Sequence, residues 1–242
     1  MTALFRRAGE RPHPLVEVLG LLLWLLLFTR LHAAMGTDVT AATDNALALQ
    51  SAEKAAHLDI ELHANACLAA HPVLSHLAVY LYRLYYVAII GVLLWVFLRH
   101  AEVYRQVRRT LVAMTVLVLP VYWAVPMSPP RFALTGTVDI VALYDIFGNT
   151  SRDIGNGQNH FSAMPSLHVG WALWCAYAGW SALRATHPRW ALLPWIFPVL
   201  MTADVLATGN HYVLDVAGSV VLVAVSIAVA SLWRRKDQGQ VS

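Results

Sequence analysis

The chain has 242 residues, of which 58% are hydrophobic and only 13% are charged. Because soluble domains carry about a quarter charged residues, this composition excludes a water-soluble enzyme and indicates one compact membrane-embedded unit. The net charge of +3 is not gathered into a basic stripe among exposed aromatic residues, so no nucleic-acid partner is expected.

Six apolar segments approach the length of about 20 residues that a transmembrane helix needs. They cover residues 14–31, 74–98, 111–125, 166–183, 190–207 and 213–233. The predicted fold is therefore all-α, a polytopic membrane protein with six transmembrane helices in one integral membrane domain over residues 1–242. The last five spans form its core, over residues 73–233.

The first segment also has features of a secretory signal peptide. Three arginines precede its leucine-rich core, and Ala33 and Ala34 follow that core where a signal peptidase would cleave. Arg30 interrupts the cleavage region, which favours a retained transmembrane helix. A signal peptide is the alternative interpretation.

Basic residues indicate how the spans are oriented, because lysine and arginine accumulate in cytoplasmic loops. Twelve of the 17 basic residues fall on one side of the six predicted spans, the side that also holds both termini. Both termini, including the tail over residues 234–242, are therefore predicted to be cytoplasmic. The alanine-rich composition favours a bacterial inner membrane.

Two segments on the opposite, extracytoplasmic side are long. Residues 36–72 have a helical period but are too polar to span, so they predict amphipathic helices on the outer surface of the bilayer. In this interpretation Glu53, Asp59 and Glu61 belong to a solvated face. Residues 126–165 are rich in Gly, Pro, Asn and Asp, which predicts an ordered loop too long to be a mere connection.

Three polar clusters interrupt the apolar pattern, and the predicted topology puts all three at the extracytoplasmic level. Residues 129–131 follow the third span, residues 165–168 open the fourth, and residues 209–215 open the sixth. The clusters are distant in sequence, but the helix ends that carry them can meet in space. This convergence is stronger evidence for a site than any one cluster.

His211 and Asp215 are spaced i, i+4, so on one helix the carboxylate can hydrogen-bond one imidazole nitrogen. The imidazole is then oriented with its other nitrogen available for nucleophilic attack. The pair alone is equally well explained as two residues that satisfy each other at a helix end. An aspartate at membrane depth is rare and usually functional, which favours the first interpretation.

The other two clusters add an anion site. Backbone N–H groups behind Pro165 and the Ser166 hydroxyl can bind an anion, while His168 can protonate a leaving oxygen. Arg131 offers a planar guanidinium for phosphate oxygens. Singly, Ser166, His168 and Arg131 are more simply a helix N-cap, an interface residue and a headgroup anchor. Together with His211 they predict phosphoryl transfer, which needs an anion site, a nucleophile and an acid.

The chain resembles the type 2 phosphatidic acid phosphatase superfamily in three strings, PPR at 129–131, AMPSLHVGWAL at 163–173 and TGNHYVLDVAG at 208–218. Within that superfamily it looks like the inositol phosphorylceramide synthase branch, from roughly residue 73 to the C-terminus. The resemblance implies a six-helix membrane enzyme that needs no metal or other cofactor and acts on a lipid phosphate or phospholipid through a phosphohistidine intermediate.

The resemblance also implies a role for each matching residue. His211 is the nucleophile and Asp215 orients it. His168 protonates the departing group, while Ser166 and Arg131 hold phosphate oxygens.

The chain departs from the broad family pattern at two phosphate-binding cations, where it has Ala124 and Val205. We hypothesise that Arg83, about halfway along the second span, replaces one of them, because an intramembrane arginine needs a polar cavity or a partner. Pairing with a carboxylate such as Asp139 or Asp204 is the alternative.

Other polar residues are weaker candidates. Four are predicted as contacts of the substrate headgroup: Asp139, His160, Asn210 and Tyr212. Asp145, Asp153 and Asn159 also lie in the long loop, where loop polarity alone explains most such residues. The histidines between residues 57 and 76 match no familiar metal spacing, so a solvated face is predicted there rather than a metal site.

These features predict an integral membrane lipid phosphatase or phosphotransferase. With water as acceptor it is a phosphatase, acting for example on a polyprenyl or glycerolipid phosphate. With a hydroxyl acceptor it moves a phosphorylated headgroup, inositol-phosphate-type transfer included, and both acceptors stay open. The alternative is a non-catalytic transporter or binding protein for an anionic headgroup, although no inverted repeat or broken helix indicates one. No oligomeric state is predicted.

Overall fold

The computed structural model describes residues 11–35, 38–145 and 159–239, with only the backbone described for 234–239. Asp153 and two of the N-terminal arginines, Arg6 and Arg7, lie outside these ranges. The α-helices are α1 (Pro14–Ala34), α2 (Val39–Ala55), α3 (Glu61–Ala69), α4 (Pro72–Arg99), α5 (Ala101–Ala124), α6 (Pro130–Ala133), α7 (Ile140–Leu143), α8 (Leu167–Leu183), α9 (Ile196–Ala207) and α10 (Val213–Gly239). A 3-10 helix over Trp190–Trp195 leads directly into α9.

Five segments are long and apolar enough to cross a membrane: α1, α4, α5, Trp190–Ala207 and α10 as far as Trp233. They coincide with five of the six predicted spans. The remaining predicted span is α8, whose 17 residues include nine buried ones and which packs against α4, α5, α9 and α10. The all-α, polytopic membrane fold is therefore confirmed.

Small residues explain why α8 can lie among so many neighbours. A Cβ added at Gly179 would lie 2.7 Å from Pro194 Cγ, so a side chain there would push the 3-10 helix away. On the opposite flank, the Trp174 indole donates a hydrogen bond to the carbonyl of Val107 on α5 at 2.9 Å. Because α8 is held from several sides, its first turn has a fixed position.

The start of α5 differs from the prediction, since the helix begins at Ala101 rather than at residue 111. Glu17 on α1 accounts for the difference. Its carboxylate accepts hydrogen bonds from the Tyr104 hydroxyl at 2.7 Å and from Arg108 at 2.6 Å. These contacts stabilise the polar first turns of α5, which a search for apolar runs does not detect. They also attach α1 to α5.

The predicted helices of the first polar segment are present as α2 and α3, but the prediction of a solvated face is wrong for Glu53 and Glu61. Their exposed fractions are 0% and 1%. Glu53 Oε1 accepts the N–H of Leu214 at 2.6 Å, one of the free donors at the start of α10. Asn65 on α3 donates to the carbonyl of Ala207, at the end of α9, at 2.9 Å. The carboxylates are buried because α2 and α3 cover these helix ends.

Chain connectivity collects the three polar clusters at one end of the bundle. α5 and α9 end there, whereas α8 and α10 begin there. The described beginning and end of the long loop meet at the same end, where a parallel bridge joins Met127 to Ser162. The contact between Glu17 and α5 lies at the opposite end, because it joins the first turns of α1 and α5.

Candidate active site

A cavity of about 270 Å³ lies among the three polar clusters. Arg131, His168 and His211 line it, together with side chains of α1, α4 and α5. Ser166 and Asp215 are fully buried and are not among its lining residues. The structure thus brings residues of all three clusters to a single cavity and buries two further predicted residues, Ser166 and Asp215, away from it.

The turn that carries His211 depends on Gly209. This glycine has φ of +71°, a left-handed conformation that glycine adopts without a steric penalty. A Cβ there would lie 2.6 Å from Thr137 Cγ2. The N–H groups of Asn210 and His211 both donate to the carbonyl of Val205, at 3.0 and 3.1 Å. The chain can therefore leave α9 and enter α10 within a few residues, with the imidazole at the cavity.

A main-chain carbonyl fixes the His211 ring. Its Nδ1 lies 2.8 Å from the carbonyl oxygen of Ala163 and 3.3 Å from Asp215 Oδ2. Burial above all, with the charge of Arg131 nearby, lowers the pKa of His211 to about 3, so the ring is neutral. A neutral ring facing a carbonyl carries its proton on Nδ1. Nε2 therefore keeps a lone pair, which is the form a nucleophile requires.

Asp215 orients the backbone of this turn as well as the imidazole. It lies at the third position of α10, and its Oδ2 accepts the N–H of Tyr212 at 2.8 Å, which is the acidic half of a capping box. Its contact with His211 is longer than the contact of His211 with Ala163. The i, i+4 spacing correctly predicted that Asp215 contacts His211. No sequence pattern could predict the Ala163 carbonyl, which contacts the same Nδ1 atom.

His168 is held between aromatic rings of α4. The Tyr82 ring stacks on it at 4.2 Å between centroids with an interplanar angle of 21°, and Tyr85 meets it edge-on at 4.5 Å. The centroids of the His168 and His211 rings are 6.1 Å apart. A small tetrahedral group between the two rings can contact both, so one ring can act as a nucleophile and the other as an acid.

Arg131 is attached to the turn that carries His211. Its backbone N–H donates to the carbonyl of Gly209 at 2.9 Å, and its guanidinium donates to Asn210 Oδ1. Arg131 Nε also lies 3.8 Å from Asp139 Oδ2. The first and third polar clusters therefore form one hydrogen-bonded unit, with a positive charge beside the nucleophile candidate.

The four predicted headgroup contacts divide into two pairs. His160 and Asn210 line the cavity, and burial followed by the charge of Arg131 lowers the pKa of His160. Asp139 instead accepts the N–H of Ala142 at the start of α7 and faces Arg131. Tyr212 is fully buried in a cluster with Ala46, Met127, Leu134 and Ala163. Asp139 and Tyr212 therefore support the site from behind rather than line it.

Arg83 and Ser166 also differ from their predicted positions. Arg83 forms an ion pair with Asp145 at 3.2 Å, a carboxylate other than the two named as alternatives, and it is not among the cavity's lining residues. The Ser166 hydroxyl accepts the N–H of Val169 at 3.3 Å, so Ser166 is the N-cap of α8. An accepting hydroxyl still has its own proton to donate.

The cavity has further lining residues that sequence reasoning did not assign to the site. Tyr82 and Tyr85 are spaced i, i+3 on α4, a signal that places them on one face. His32 on α1, Tyr122 on α5 and Ser162 in the long loop have no such signal. They lie outside all three clusters, and only the fold brings them to the cavity.

Comparison with known proteins identifies the family of this chain. A family model described as the PAP2 superfamily matches residues 47–229, which is more than half of the chain. The matched range contains all three polar clusters and starts after α1. Neither the curated proteins nor the solved structures gave a match. The chain belongs to the PAP2 superfamily.

Proposed function

We propose that the chain is an integral membrane lipid phosphatase or phosphotransferase that works through a phosphohistidine at His211. Membership of the superfamily supports the coarse class, an enzyme acting on lipid phosphate. The observation that carries the mechanism is the hydrogen bond of 2.8 Å between His211 Nδ1 and the Ala163 carbonyl. It leaves Nε2 unprotonated on a cavity that also holds His168 and Arg131.

In the first step, His211 Nε2 attacks phosphorus and the bond from phosphorus to the leaving oxygen breaks. His168 donates a proton to that oxygen, so the leaving group departs as an alcohol. Arg131 neutralises charge on the phosphoryl oxygens.

In the second step, an acceptor hydroxyl attacks the phosphohistidine and His168, now neutral, takes its proton. The bond from His211 to phosphorus breaks, and the enzyme returns to its first state. Water as acceptor gives free phosphate or a phosphorylated headgroup, whereas a lipid or polyol hydroxyl gives a new phosphodiester or phosphomonoester. Likeness to the inositol phosphorylceramide synthase branch supports keeping transfer beside hydrolysis.

The cavity also supports a lipid substrate. Tyr85, Trp171, Phe28 and Leu167 line it beside Arg131, so apolar and charged groups share one space. A phosphate on a lipid carries the same two properties. This cavity lies at the end of the bundle that we propose to be extracytoplasmic.

The test is to trap the intermediate. Phosphatidic acid and a polyprenyl phosphate, each labelled in the phosphate, are mixed with purified enzyme and quenched in base, which preserves phosphohistidine. Label on the protein is expected for the wild type and not for His211→Ala, with turnover lower by about a thousandfold or more. His63 is an exposed histidine on α3, so His63→Ala is the matched control and is expected to keep both the covalent label and the turnover.

Free phosphate and new lipid products are measured in the same tubes, with phosphoinositides included in the screen. The ratio of the two products decides between hydrolysis and transfer. Wild-type turnover in His211→Ala contradicts the mechanism. Tight binding of labelled lipid by the wild type, with neither turnover nor covalent label, identifies a headgroup-binding protein instead.

A further inference from the structure

We propose that His32, at the end of α1, is a positioning residue of the active site, which fixes the loop whose carbonyl orients His211. This inference rests on the proposed function, because it assigns α1 a part in presenting the nucleophile. The family match begins at residue 47 and does not include α1.

The His32 ring is held from three sides. It stacks on Phe28, one turn earlier in α1, at 5.7 Å between centroids. The Tyr122 ring of α5 meets it at 5.3 Å. Its Nε2 lies 3.1 Å from the Ser162 hydroxyl oxygen. A ring with two aromatic neighbours and one polar contact has a fixed orientation, and His32 also lines the cavity.

A second hydrogen bond joins the same two segments. The Asn159 side chain donates to the carbonyl oxygen of His32 at 3.0 Å and accepts the N–H of Phe161 at 2.9 Å. Side chain and main chain of His32 therefore each bind the segment 159–162. Two contacts to one residue resist both sliding and rotation of that segment.

The other side of the segment leads directly to His211. Ala163 follows Ser162, and its carbonyl accepts the His211 Nδ1 hydrogen bond of 2.8 Å. The same segment is paired with Met127, which donates to Phe161 at 2.8 Å and accepts from Ala163 at 3.1 Å. The segment thus lies between α1 and residue 127, and a shift of Ser162 moves the oxygen that orients the nucleophile.

The rest of α1 contrasts with this contact. Its leucine-rich middle is largely exposed, with Leu23 at 67% and Leu26 at 53%, as expected for a surface that faces lipid. Phe28, next to the cavity, is only 5% exposed. One face of α1 is attached to the core by Phe28 and by Trp24, whose indole donates to the Thr115 hydroxyl at 3.0 Å, and the contacts of His32 hold its C-terminal end.

The expected kinetic effect is on turnover rather than on binding. His32→Ala frees the segment 159–163, and we expect kcat on phosphatidic acid micelles to fall about tenfold with KM changed less than about threefold. His32→Gln places an amide nitrogen near the position of Nε2 and keeps kcat within about threefold. Ser162→Ala reproduces the loss, and the double variant with His32→Ala is no worse than either single one.

A readout without substrate completes the test. In protein with ¹⁵N-labelled histidine, assigned with His211→Ala, the His211 ring shows the Nδ1–H form, and this signal shifts or broadens in His32→Ala. Leu31→Ala, at the lipid-facing position beside His32, is the matched control and leaves both the signal and kcat unchanged. Thermal unfolding of every variant shows which of them are folded.

Two results overturn the inference. One is an unchanged His211 signal in folded His32→Ala. The other is an equal loss of kcat in His32→Gln and His32→Ala, which indicates packing alone. Failure of the proposed function is a separate result, since it appears as turnover in His211→Ala and leaves the spectroscopic comparison intact.

Discussion

Individual residues of this site owe their chemistry to neighbours that are remote in sequence. His211 has its proton placed by Ala163, and His168 has its ring placed by Tyr82 and Tyr85. In both cases the group that positions the predicted residue comes from another element. The sequence motifs contain the candidate reactive side chains but not the groups that position them.

The stack of Tyr82 on His168 leads to a prediction at this scale. Tyr82→Leu removes the ring that keeps the imidazole face fixed, so turnover on phosphatidic acid is expected to fall about tenfold. Tyr82→Phe keeps the ring and is expected to stay within about threefold of the wild type by the same reasoning. Tyr80→Leu, an exposed position on α4, serves as the control. Equal activity of the leucine and phenylalanine variants at position 82 argues against the role of the stack.

Among the elements, α2 and α3 depart furthest from their predicted environment. Their helical period was readable, but the partner of Glu53 was not, because Leu214 is 161 positions later in the chain. An amphipathic pattern indicates that a helix has a polar face without indicating what that face contacts. Here Glu53 accepts the N–H of Leu214 at the start of α10, the helix that carries Asp215.

This contact predicts a pH-dependent stability. Burial, reinforced by Glu61 and Asp215, raises the pKa of Glu53 to about 7, above its usual value near 4.5 in an unfolded chain. The folded state therefore binds this proton more tightly, and its stabilisation is present below pH 4.5 and is lost as the pH rises through about 7. Glu53→Gln keeps an oxygen acceptor for Leu214 and removes the charge.

Thermal unfolding at pH 5 and pH 8 checks this expectation. Between the two pH values, the unfolding temperature of the wild type is expected to fall by roughly 5 °C more than that of Glu53→Gln. Glu61 leaves a residual dependence of the unfolding temperature on pH in both proteins. Asp44→Asn, an exposed position on the same helix, is expected to behave like the wild type. A Glu53→Gln protein with the full wild-type pH dependence means that Glu53 is ionised without cost.

For the molecule as a whole, the sequence predicts the helices better than the site. Apolar runs of sufficient length gave five spans and α8 close to their observed bounds, because membrane insertion depends on composition along one segment. The early start of α5 was missed, since Glu17 on another helix stabilises it. The three polar clusters do come together at one cavity, while His32, Tyr122 and Ser162 had no pattern to identify them.

Orientation is the prediction that belongs to the whole molecule. We expect a membrane-impermeant maleimide to label Cys67, which is exposed on α3, in intact spheroplasts. Cys175 is buried and stays unlabelled, so Cys67→Ser gives the background. In an Arg184→Cys variant, the cysteine after α8 is expected to react with the maleimide only after permeabilisation. The reverse pattern places the cavity on the cytoplasmic side.

The carbonyl of Ala163 has one more consequence, for how this enzyme is mapped by mutation. Alanine scanning removes side chains but leaves every peptide carbonyl in place. Such a scan therefore attributes the tautomer of His211 to Asp215 alone. Replacing the amide that follows residue 163 by an ester, which weakens that oxygen as an acceptor, exposes the contribution of the main chain.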